Sequence, residues 1–176
     1  LPIYPSVSRG YNRLADQYHA ATFAGEPPAP PDLQESFAIG PLDACAPGGR
    51  ALQIEPDLLA AAFAPNLWPA EVPAVKASLS AYYRAVEEVA ARLMSLFAGA
   101  LGLSRGFFAD KIDRHASILR LVHYPAQEVP PAPGQLRAGP HTDFGTLTIL
   151  RTDGEPGLQV RDRGHNWLDV VPPPGM

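Results

Sequence analysis

Apolar and polar positions along the chain fall into stretches of two different periods. Between Val72 and Leu101 the residues Val75, Leu79, Tyr82, Tyr83, Val86, Val89, Ala90, Leu93, Leu96 and Phe97 recur at threes and fours, with Glu87, Glu88 and Arg92 between them. That spacing predicts one long amphipathic helix ending near Gly99 or Gly102. A shorter helix is expected over Ser8 to Phe23, where Tyr11, Leu14, Ala15 and Tyr18 share a helical face; the run from Gly25 to Pro31 stops it. Glu35 to Ile39 is a short apolar strand, Pro41 to Gly49 a loop, and Asn66-Leu67-Trp68-Pro69 a turn with a buried indole. Past the long helix the period becomes two. Ile118–Tyr124, Thr146–Leu150, Leu158–Arg161 and Trp167–Val171 are β-prone runs separated by Gly, Pro and Asp. Helices first and short strands later predict an α+β or mainly β fold, a sandwich or jelly roll with a helical buttress.

Composition narrows the functional classes. A chain of 176 residues that is 46% hydrophobic can bury a core. Its 14 basic and 18 acidic residues are scattered, giving a net charge of −4 and no Lys/Arg stripe to meet a phosphate backbone or an anionic membrane. Nucleic acid and membrane are therefore not the expected partners. The single Cys45 has no internal disulfide partner and no cationic neighbour to activate it, which suits a reducing, cytoplasmic setting. No apolar run reaches the roughly 18 residues of a membrane-spanning helix, and no basic-then-apolar export signal opens the chain.

Candidate chemistry lies in Gly139-Pro140-His141-Thr142-Asp143-Phe144-Gly145. In an extended segment residues two apart project to one face, so His141 and Asp143 can reach one ion while Thr142 points away. An imidazole and a carboxylate fill two corners of a facial triad, the ligand set that suits Fe(II) and leaves positions open for a cosubstrate and O2. By itself a His-x-Asp spacing is weak, since most such pairs are surface hydrogen bonds. The other histidines offer less. His165 stands in a turn-forming Asp162-Arg163-Gly164-His165-Asn166 run and reads as a surface residue, His123 faces the opposite side of its strand from the candidate site, and His19 and His115 have no second ligand at i+2 or i+4. Glu87-Glu88 reads as a solvated helix face, and Trp68 and Trp167 as packing residues.

The run His141-Thr142-Asp143-Phe144-Gly145-Thr146-Leu147-Thr148-Ile149-Leu150 resembles the isopenicillin N synthase-like branch of the 2-oxoglutarate/Fe(II)-dependent oxygenases. Arg9-Gly10-Tyr11, Glu35 to Gly40, Asn66 to Pro69 and Leu119 to Pro125 resemble further landmarks of that family, in the family's order. The resemblance implies a double-stranded β-helix (jelly roll) core with the long helix as buttress. It also implies a dioxygenase that uses Fe(II), 2-oxoglutarate and O2 to hydroxylate, desaturate or cyclise a small organic molecule. His141 and Asp143 are then metal ligands, and Tyr124, on one strand face with Arg120 and Val122, contacts 2-oxoglutarate; plant members often carry Asn where this chain has Val122. The family's distal His and its Arg-x-Ser have no counterpart before Met176, so the chain is expected to be a fragment lacking both ends. Its parts are expected to be the rest of an N-terminal helical or irregular region (1–70), the buttress helix (71–103) and the first part of the oxygenase domain (104–176). An iron oxidase that dispenses with 2-oxoglutarate, or an inactive fold kept as a binding module, are the alternatives.

Overall fold

A computed structural model describes residues 9–16, 30–42, 60–143 and 145–173. The chain divides into two compact units, Leu1–Asp143 and Phe144–Met176. In the first, strands β1 (Gly10–Asn12), β2 (Glu35–Ile39) and β3 (Leu119–His123) form an antiparallel sheet in the order β1-β2-β3. Register is set by Tyr11 opposite Phe37, and by Glu35 opposite His123 through Ile39 opposite Leu119. β2 is the central strand, and its Ser36, Ala38 and Ile39 are buried where β3 is largely exposed. In the second unit, β4 (Gln159–Arg161) and β5 (Trp167–Asp169) form an antiparallel pair.

The long helix α1 runs Ala74–Ala100, about 40 Å at 1.5 Å per residue. It ends where the sequence predicts, near Gly102, and the structure closes it in a Schellman motif: Leu103 N donates to Ala98 O (2.9 Å) and Gly102 N to Gly99 O (3.0 Å). Gly102 takes φ +72°, a backbone conformation that costs glycine nothing and an L side chain about 1–2 kcal/mol. Along α1, Tyr83, Met94 and Ala98 are buried, and the Tyr83 hydroxyl donates to Ser117 O (3.1 Å), tying the helix to the segment that leads into β3. Burial pushes that phenol up to about 12, with Glu87 adding to the shift and Arg9 opposing it. A one-turn helix, α2 (Ala109–Ile112), follows. The apolar arc of α1 is wider than the face it buries: Tyr82, Val89, Leu96 and Phe97 remain exposed.

Three expectations change. Residues 10–12 are a strand, because pairing with β2 satisfies their backbone, and Ala15 at φ +62° cannot continue a right-handed helix. The rest of the predicted N-terminal helix, with His19, lies outside the described residues, as does Cys45. Thr146–Leu150 is β-prone in composition but forms no strand among the described residues, since no neighbour there supplies a ladder. Trp68 is only half-buried. The predicted strands at 35–39, 119–123, 159–161 and 167–169 are present, and no helix among the described residues is long and apolar enough to cross a membrane.

Candidate metal-binding site

The site begins with a zipper between two distant loops. Leu33 N donates to Leu136 O (2.9 Å), Gln135 Nε2 to Pro31 O (2.9 Å), and Gly139 N to Asp32 Oδ1 (2.8 Å). Residues 31–33 lead into the central strand β2, so these bonds attach the Pro- and Gly-rich 130–140 loop to the sheet. Asp32, 2% exposed, is one of the most deeply buried side chains described, and its Oδ2 lies 3.4 Å from Gln34 Nε2. A buried carboxylate is stable only when such donors replace the water it has lost.

Gly139 and Pro140 carry this anchor to His141. The Nδ1 of His141 lies 2.8 Å from Gly139 O. A carbonyl can only accept, so Nδ1 carries the proton and, in the neutral ring, Nε2 keeps its lone pair. That Nε2 points toward Asp143 Oδ1 at 3.6 Å. The separation is too long for a direct hydrogen bond. Two ligand atoms at right angles across one ion, each about 2.0–2.2 Å from it, stand about 3 Å apart, so a small side-chain adjustment would bring this pair onto a common ion. Both side chains are accessible, His141 at 34% and Asp143 at 54%. The donors, one imidazole and one carboxylate, are those Fe(II) takes in a facial triad. Among the described residues no third His, Cys, Asp or Glu joins them.

β3 supplies the neighbouring groups. Strand alternation puts Arg120 and Tyr124 on one face and His123 on the other. Burial raises the Tyr124 phenol above its usual range, with Arg120 working against the shift and Asp32 with it. Arg120 is exposed by surface area, yet the protein around its guanidinium lowers its pKa, opposed by the charges of Tyr124, Asp143 and Asp32. The structure therefore brings Tyr124, Asp32 and Asp143 within electrostatic reach of Arg120. His123, which is exposed, bonds through Nδ1 to Glu35 Oε1 at 2.8 Å, directly across the β2–β3 ladder. His115 pairs with Glu87 at 2.7 Å, and His165 sits exposed in the β4–β5 turn. Sequence reasoning missed Asp32, whose partner Gly139 lies 107 residues away, and gave no role to Arg120; the only local hint of the former is an acid placed shortly before a strand.

Known proteins resemble this chain in sequence and in fold. Residues 115–176 match the model of the 2OG-Fe(II) oxygenase superfamily. Validamycin A dioxygenase of Streptomyces hygroscopicus subsp. limoneus is 37% identical over 143 residues, covering 78% of this chain and 36% of that protein. Proline hydroxylase buaE of Petromyces alliaceus is 32% identical over 165 residues, covering 92% of this chain and 46% of its own length. The crystal structure of a full-length Neurospora crassa protein in complex with alpha-KG and thymine superimposes with a TM-score of 0.71 at 29% identity, over 97% of this chain and 50% of that one. The chain thus spans half or less of the length of each of these relatives.

Proposed function

The chain belongs to the 2OG-Fe(II) oxygenase superfamily, and from that membership we propose that the protein carrying it is a dioxygenase of the isopenicillin N synthase-like branch that oxidises a small organic molecule. The observation that carries the proposal is the His141–Asp143 pair, with Nδ1 held by Gly139 O and Nε2 3.6 Å from Oδ1. In this reading residues 104–176 contribute the first part of a jelly roll, α1 is its buttress, and residues 1–70 complete the sheet through β1 and β2. The relatives named above, a dioxygenase and a hydroxylase, and a solved structure holding alpha-KG support 2-oxoglutarate as cosubstrate and a small-molecule substrate. A cytoplasmic location goes with it.

His141 Nε2 and the Asp143 carboxylate would hold Fe(II). Bound together with 2-oxoglutarate and O2, the metal would supply the oxidising power for hydroxylation, desaturation or ring closure. The chain's own residues do the rest. Gly139 O fixes the His141 ring and its tautomer, so that the ligand nitrogen is presented without rotation. Tyr124, whose phenol is protonated at neutral pH like any tyrosine, offers a donor to a cosubstrate oxygen. Arg120, on the same strand face, places a fixed cation beside it. In the full-length protein, succinate should form from 2-oxoglutarate in an Fe(II)-dependent reaction coupled to substrate oxidation. Substrate oxidation without succinate would place the protein with the iron oxidases, and absence of both would leave a binding module.

A further inference from the structure

We infer that Asp32 is a positioning residue for the metal site: its buried carboxylate clamps the Gly139 amide and thereby sets the orientation and tautomer of His141. The inference rests on the reading of His141 as a ligand. Its path is two hydrogen bonds long. Asp32 Oδ1 accepts from Gly139 N at 2.8 Å, and the carbonyl of the same glycine accepts from His141 Nδ1 at 2.8 Å. One residue therefore carries both bonds, its amide held from the core side and its carbonyl holding the imidazole.

The buried position of Asp32 makes this clamp stiff. At 2% exposure the carboxylate cannot turn to water, and its second oxygen is directed at Gln34 Nε2. Gln34 is itself 2% exposed and leads into β2, so the clamp is referenced to the central strand rather than to a loop. Removing the acceptor strands the buried Gly139 N–H and releases the φ and ψ of Gly139, through which the carbonyl on the other side of its Cα can swing away from Nδ1. His141 then samples the other tautomer, in which Nε2 bears the proton and cannot ligate.

The test uses the full-length protein and Co(II) as the probe ion, with two readouts: Co(II) affinity from its visible absorption, and the His141 ring nitrogen shifts of the metal-free protein by 15N NMR. Loss of a group that orients a metal-bound His typically weakens binding about 10–100-fold, and that is the loss expected for Asp32→Ala, together with a shift of His141 toward mixed tautomers. Asp32→Asn keeps an oxygen to accept from Gly139 N–H, so this variant should return both readouts close to wild type. A purely structural role would lower the melting temperature of D32A and leave Co(II) affinity and tautomer of the folded protein unchanged, which overturns the inference. If H141A binds Co(II) as tightly as wild type, His141 is no ligand and both readings fall. If H141A loses binding while D32A keeps it, only the Asp32 inference falls. Should D32A fail to fold, the wild-type Gly139 amide decides: slow hydrogen exchange is expected, and exchange at the unprotected rate overturns the clamp.

Discussion

Substituting Gly40 by Ala should destabilise the first unit by crowding Arg9. A Cβ at position 40 would stand 2.1 Å from Arg9 Nη2, 2.3 Å from Cζ and 2.7 Å from Nε, all well inside van der Waals contact. The guanidinium is not free to move aside at no cost. Arg9 is 9% exposed, its Nη2 donates to Ala62 O at 2.8 Å, and burial lowers its pKa against the opposing influence of Tyr83. Displacing the head group gives up a charge-assisted hydrogen bond, about 1.5–3 kcal/mol; holding it in place overpacks the end of β2, about 1–3 kcal/mol. Part of this is returned, because Arg9 Nε and Nη1 have no hydrogen-bond partner where they are and would gain one in water. The expected net loss is about 2–3 kcal/mol, measured by urea denaturation followed by circular dichroism. A double-mutant cycle with Arg9→Ala isolates the cause: with the guanidinium removed, G40A should cost at least about 1 kcal/mol less, the coupling expected of residues in contact. Strict additivity of the two substitutions would refute the close approach of Arg9 to Gly40.

Two further outcomes follow from the polar contacts. Tyr11 and His123 both hydrogen-bond the Glu35 carboxylate and hold its pKa below the ordinary 4.5. A depressed folded-state pKa gives stability that is present above the unfolded value and lost as pH falls through the folded one, so denaturant midpoints should drop below about pH 4.5. Tyr11→Phe should shrink that drop; an identical acid limb in both proteins would show that the contact has no energetic weight. In the β4–β5 turn His165 is held at φ +66°, a conformation costing an L residue about 1–2 kcal/mol against glycine's entropy cost of about 0.5–1 kcal/mol. His165→Gly should therefore raise stability slightly and leave Fe(II) affinity unchanged; a loss of affinity would mean the wrong histidine has been set aside.

What the sequence showed and what it hid follow from how local each feature is. The 27 residues of α1 repeat their period over seven turns and a Gly pair marks their end, so the helix and its end near Gly99 or Gly102 were readable. The pairing of His141 with Asp143 was readable because its geometry depends on residues two apart. β1 was not, because three residues become a strand only by pairing with Ser36–Ala38, and their spacing to Leu14 and Tyr18 suits a helix equally well. Asp32 was hidden for the same reason at longer range, since its partner Gly139 is 107 residues away. The Arg120–Tyr124 strand face was legible, but its proximity to Asp32 and Asp143 belongs to the folded chain.

The central claim is that His141 and Asp143 are two ligands of an Fe(II) that also binds 2-oxoglutarate. Anaerobic titration of the full-length protein with Fe(II) and 2-oxoglutarate tests it directly, by the weak visible charge-transfer band of the chelate. The band should grow to saturation in wild type and be lost in H141A and in D143A while both remain folded. A wild-type protein that shows no band, or variants that keep it, would contradict the assignment.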